Sequence, residues 1–114
     1  MSDELTAFYS EWRANRRAMR EQTPAITNGF GGFFQAVMKD GALSKREKEL
    51  ISVAIALSVR CEPCIHLHVK SCLEAGATRE QVLEAAAVAV VMQGGPTFTL
   101  VPEVIKALDH LEAK

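Results

Sequence analysis

The segment SKREKELISVAIALSVRCEPCIHLH, Ser44 to His68, contains two helix starts and the turn between them. Ser44 followed by Glu47 is a capping box, in which the serine hydroxyl and the glutamate carboxylate each take a backbone N–H that the first helical turn leaves open. From Lys45 to Arg60 the pattern is helical, and Leu50, Ile51, Val53, Ala54, Ile55 and Leu57 make its second half apolar nearly all round, as expected of a central helix. Pro63 sits well in the first turn of a following helix, where its missing N–H is not needed, so residues 62 to 75 read as a second helix ending at Gly76. These two helices form a hairpin, and the hairpin carries the chain's concentration of thiols and imidazoles.

Outward from it, the remaining segments are helical too. Ser2 is a candidate cap for a helix over residues 3 to 21, with Leu5, Phe8, Trp12 and Met19 at helical spacing. Its other face bears Arg13, Arg16, Arg17 and Arg20, balanced by Asp3, Glu4, Glu11 and Glu21, which reads as a solvated face rather than an anion site. Thr23-Pro24 opens a second helix running to Lys39 with Ile26, Phe30, Phe33, Phe34 and Val37 on one side. Gly29, Gly31 and Gly32 each weaken it by about 1 kcal/mol relative to alanine, and are read as places of close helix packing. The phosphate-loop alternative lacks the following Lys-Ser/Thr and a preceding strand. Thr78 to Gln81 is another capping box, and residues 79 to 93 an Ala/Val-rich buried helix. Gly94-Gly95-Pro96 breaks the chain before a last helical stretch that Pro102 kinks or restarts. Period-two alternation is missing throughout, so the fold class is all-α, a helical bundle built around a hairpin, with residues 1–114 as one domain.

Composition narrows the function. At 48% hydrophobic and 24% charged residues with a formal net charge of -1, the chain has the make-up of an ordinary soluble protein and asks for neither nucleic acid nor an anionic membrane. The run from Val82 to Met92 is short of the ~20 residues of a membrane span. No apolar signal core follows the acidic N-terminus, so a reducing cytoplasm is the expected location. There, a CxxC pair is a metal half-site or a redox pair rather than a structural disulfide framework.

Cys61 and Cys64 are three apart, a spacing that puts helical Cα atoms roughly 5–6 Å apart, within reach of a disulfide. Both sit at a helix N-terminus, whose dipole and open N–H groups favour thiolate. His68, one turn beyond Cys64 on the same face, can take its proton, which makes Cys64 the candidate nucleophile and Cys61 the partner that closes the disulfide. Down the hairpin at 1.5 Å per residue, His68 lies ~10 Å and Glu49 ~16 Å from the turn, within one long side chain of the same level. Glu49 can thus orient His68, giving carboxylate, imidazole and thiol in series; the competing reading makes it a surface carboxylate paired with Lys45 or Lys48. A zinc set of Cys61, Cys64, His68 and Cys72 is the weaker reading, since Cys72 lies about 12 Å along the helix from Cys64 and His66 faces nearly the opposite way. No metal and no cofactor are expected. Cys72 reads as a small buried hydrophobe, and His110 as a surface or dipole-complementing residue. A thioredoxin-type redox site wants a βαβ context that an all-helical chain lacks.

Glu49, Cys61-x-x-Cys64-x-x-x-His68, Gly76-Ala77-Thr78 and Gly94-Gly95-Pro96 together resemble the carboxymuconolactone decarboxylase superfamily, in its alkylhydroperoxidase D-like branch, from about Phe30 to Leu108. The resemblance implies an all-helical subunit assembled as a trimer or hexamer, with peroxidase or disulfide-reductase activity needing neither metal nor flavin. By position, Cys64 would attack a hydroperoxide and become a sulfenic acid, Cys61 would resolve it, and Glu49 with His68 would relay the proton. An external dithiol, such as a lipoyl group or a thioredoxin-like protein, would restore the thiols. The namesake branch member carries a histidine immediately before the second cysteine, where this sequence has Pro63, so peroxidase strength and reductant are open to change. The superfamily's cofactor-free decarboxylases, which lack the cysteine pair, and a non-catalytic redox-sensing module are the alternatives.

Overall fold

The helix starts at residues 24, 45, 62 and 79 fall where the sequence places them. The structure, a computed structural model, describes residues 2–113, with side chains from residue 4 onward, and these residues contain seven helical segments and no strand. They pack as two compact units, residues 1–39 and residues 40–114.

In the first unit α1 (Ser2–Gln22) turns through Thr23 into α2 (Pro24–Met38). Thr23 leaves helical geometry, and Pro24 occupies the first turn of α2. The cap expected at Ser2 involves side chains outside the described residues. Leu5 is buried, Phe8 and Trp12 are half-buried, and the arginine stripe of α1 is exposed. Close packing at the α2 glycines is not found: a Cβ added at Gly29, Gly31 or Gly32 would meet no atom within 4 Å. The apolar face of Ile26, Phe30, Phe33 and Val37 is likewise exposed.

The second unit is built on the expected hairpin. Ser44 caps α3 (Lys45–Ser58), with both bonds of the capping box formed. The helix ends two residues before Arg60, because the Arg60 N–H bonds Leu57 O and the Cys61 N–H bonds Ala56 O. This Schellman closure needs a left-handed residue, and Arg60 supplies it at φ 56, a place usually taken by glycine. Cys61 is therefore held twice, by the closing bonds of α3 and as N-cap of α4 (Glu62–Glu74). Gly76, at φ 92, ends α4 with the same pair of bonds, and Thr78 caps α5 (Arg79–Gln93) with a second complete capping box. A single turn, α6 (Gly95–Phe98), precedes α7 (Val101–Glu112), so Pro102 marks a restart rather than a kink.

The core of this unit joins α3, α4, α5 and α7 through Val53, Leu57, Ile65, Val69, Val82, Val104 and Leu108, each fully buried. Helix α3 lies against α4 and α5, and α7 lies against α4. Within one subunit the two nearly all-round apolar helices are each covered on one side only. Val82, Ala86 and Ala89 bury one face of α5, but Val88, Val91 and Met92 are exposed; α3 and its C-cap likewise expose Ile51, Ile55 and Val59. The hairpin needs only one stripe of each helix for the core.

Candidate active site

Cys61 acts as the N-cap of α4, its Sγ accepting the Cys64 N–H at 3.4 Å. The two half-buried cysteines are joined as a disulfide across a Cα–Cα distance of 5.3 Å. The capping sulfur takes a donor that the first turn cannot use internally, which fixes the disulfide at the start of α4. Pro63, in the same turn, removes no needed donor.

One turn beyond Cys64, His68 points across the hairpin to α3. Its Nδ1 is 2.8 Å from Oε1 of Glu49, a carboxylate only 2% exposed. The surface reading of Glu49 is thereby overturned: although Lys45 lies one turn away on the same side of α3, the Glu49 carboxylate is buried and meets His68 of α4 instead. A carboxylate accepts only, so a neutral His68 donates through Nδ1–H and carries its lone pair on Nε2, the tautomer of a base. Cys72 lies one further turn along this face, fully buried. Burial, and then the charge of Glu49, push its thiol up to about 12, which keeps it in the protonated, weakly nucleophilic form.

The other histidines lie elsewhere. His66 faces α7, with Nε2 3.8 Å from Glu103 Oε1, and burial lowers its pKa against the opposing pull of Glu103 and Glu62. His110 stands in the last turn of α7, where a cation suits the dipole, but it is buried and not on the surface as expected. The pairing of His66 with Glu103 was missed because nothing in a helical sequence reports which distant helix meets its second face. The Glu62-x-x-x-His66 spacing was the available signal.

Comparison with known proteins matches residues 24–107 to the carboxymuconolactone decarboxylase family. The chain belongs to that family. An uncharacterized protein of Cupriavidus necator is 33% identical over 113 residues, 99% of this chain and 100% of its own length. A protein of the Paracoccus denitrificans cox locus is 39% identical over 88 residues, 77% of this chain and 79% of its own. The alkyl hydroperoxide reductase AhpD of Mycobacteroides abscessus shares 38% over 63 residues, 55% of this chain and 36% of the reductase. Among solved structures, a family member from Legionella pneumophila superimposes with a TM-score of 0.88 at 34% identity, covering 94% of this chain and 96% of its own. The family assignment and the all-α hairpin fold expected from the sequence are thus both established.

Proposed function

We infer that this member of the carboxymuconolactone decarboxylase family is a thiol-dependent peroxidase or disulfide reductase. One observation carries the reading: a buried Glu49 carboxylate 2.8 Å from the half-buried His68, one helical turn from a cysteine pair at disulfide distance. The partial likeness to AhpD supports it, as does a Thermotoga maritima relative of known structure for which a part in the antioxidative response has been suggested.

In the reduced protein His68 Nε2 takes the Cys64 proton, and Glu49 stabilises the imidazolium through Nδ1–H. The thiolate attacks the terminal oxygen of a hydroperoxide, ROOH. The S–O bond forms, the O–O bond breaks, and the departing alkoxide takes the proton from His68 to leave as ROH. Cys61 then attacks the Cys64 sulfenic acid; the S–S bond forms, and the hydroxyl leaves with the Cys61 proton as water. An external dithiol, lipoyl or thioredoxin-like, supplies two electrons and two protons by exchange, forming its own disulfide. Its thiolate attacks Cys64 Sγ, so that Cys61, steadied by the Cys64 N–H, is the leaving thiolate. No metal or flavin enters these steps.

The working form is a homo-oligomer, trimer or hexamer, in which further copies cover the stripes Ile51, Ile55, Val59 and Val88, Val91, Met92, left 46–81% exposed by one subunit. The expected setting is the reducing cytoplasm, and no described helix is long and apolar enough to cross a membrane.

The test is peroxide consumption with a dithiol donor. Turnover by the native chain, abolished in Cys64→Ser and reduced to at most one turnover in Cys61→Ser, is expected. Turnover unchanged in both variants, or lactone decarboxylation surviving loss of both cysteines, would end the proposal; oxidation without turnover would make the chain a redox sensor.

A further inference from the structure

Helix α4 presents two imidazoles to two different helices. Residues two apart on a helix point roughly 200° away from each other, so His68 reaches Glu49 on α3 while His66 reaches Glu103 in the first turn of α7. The two contacts differ in kind. His68 and Glu49 are at hydrogen-bond distance, but His66 Nε2 and Glu103 Oε1 are 3.8 Å apart, too far for one, although His66 is only 7% exposed.

That spacing is close to the separation of two ligands on one ion. With metal–nitrogen and metal–oxygen bonds near 2.0–2.2 Å, neighbouring tetrahedral ligands stand about 3.4 Å apart. A third ligand is in place, because Glu62 precedes His66 by one turn on the same face. One ligand atom from each of Glu62, His66 and Glu103 falls within a 4.8 Å span. The exposed Glu62 can close the remaining distance by a rotamer change. Lys106 lies against this group, its Nζ bonding the other oxygen of Glu103 at 3.2 Å and leaving Oε1 turned to His66. Its side chain is 60% exposed and can move into water.

We propose that Glu62, His66 and Glu103 form a binding site for a divalent transition-metal ion of the zinc class. One imidazole nitrogen and two carboxylate oxygens suit Zn²⁺, Co²⁺ or Mn²⁺; they are too hard for Cu(I) and carry a nitrogen that Mg²⁺ and Ca²⁺ do not seek. Three protein ligands leave a fourth position to water on the exposed Glu62 side. The site uses none of the cysteines of the zinc set considered from the sequence, where His66 faces away from Cys64, and it does not depend on the thiol chemistry proposed above. Its effect is mechanical: the ion ties the start of α7 to the turn of α4 that carries Cys61 and Cys64.

The test uses the untagged full chain with the Cys61–Cys64 disulfide closed, so that those thiols cannot compete for metal. Calorimetric titration with Zn²⁺ should give one ion per chain, not displaced by excess Mg²⁺. Co²⁺ should give a visible spectrum without a thiolate charge-transfer band. Glu62→Gln and Glu103→Gln, each folded as judged by an unchanged melting temperature without metal, should weaken binding by more than the roughly tenfold expected from loss of even an outer-sphere partner. Absence of Zn²⁺ binding, affinity unchanged in both variants, or a thiolate band with Co²⁺ would overturn the site.

Discussion

Replacing Glu49 by glutamine separates catalysis from stability. Glutamine keeps the shape of the side chain, and its carbonyl can still accept the His68 Nδ1–H, so the 2.8 Å contact and the ring orientation persist. What is lost is the charge that would stabilise an imidazolium in the proposed relay. At an effective dielectric constant of 20, two unit charges 2.8 Å apart attract by roughly 6 kcal/mol, an upper bound reduced here by the partial exposure of His68. Realising half to most of it corresponds to a rate loss of roughly 10²–10⁴-fold, the range typical of general acid–base catalysis. Stability should move the other way. A carboxylate 2% exposed bears a desolvation cost of several kcal/mol that a neutral amide avoids, so Glu49→Gln should melt at or above the native temperature. The assay is the rate of disulfide formation on adding hydroperoxide to reduced protein, alongside a thermal melt. A native rate in the variant, or a rate reduced only in proportion to unfolded protein, would show that Glu49 has no part in proton transfer.

Four further outcomes follow from particular contacts. Cys72, held at about 12 against an ordinary 9.0, has a thiolate fraction at pH 8 lower by roughly a thousandfold, so iodoacetamide should label Cys61 and Cys64 in the reduced native chain and Cys72 only after unfolding. Because its folded pKa is raised, the stability Cys72 confers is fully present below pH 9 and is lost as pH rises towards 12; the denaturant midpoint should fall across that window less steeply in Cys72→Ala. Ser44→Ala and Thr78→Ala should each cost about 0.5–2 kcal/mol by urea unfolding, since each removes one half of a capping box. Gly31→Ala should stabilise a lone subunit by up to about 1 kcal/mol, because its Cβ enters open space; impaired assembly on a sizing column would show that another copy packs there.

The hairpin, the Cys61–Cys64 pair and the meeting of Glu49 with His68 were readable because they rest on local rules. Capping boxes at Ser44 and Thr78 and the proline at position 63 mark helix starts, and a constant rise per residue is enough to bring Glu49 level with His68. The features that escaped depend on tertiary placement. An Ala/Val-rich helix such as α5 shows that it can be buried all round, not that only Val82, Ala86 and Ala89 are covered within one subunit. His110 and the His66–Glu103 approach depend on how α7 crosses α4. Arg60 was read as helical because nothing marks an arginine that closes α3 in the left-handed region, where glycine is the usual signal.

The most direct measurement is sulfenic acid trapping in Cys61→Ser. Treated with one equivalent of hydroperoxide and then dimedone, the reduced variant should gain a single adduct, located on Cys64 by peptide mass spectrometry. Without the resolving thiol, the sulfenic acid has no partner within the Cys61–Cys64 turn. No adduct on Cys64, or an adduct on Cys61 in the reciprocal Cys64→Ser variant formed at the same rate, would overturn Cys64 as the thiol that His68 and Glu49 serve.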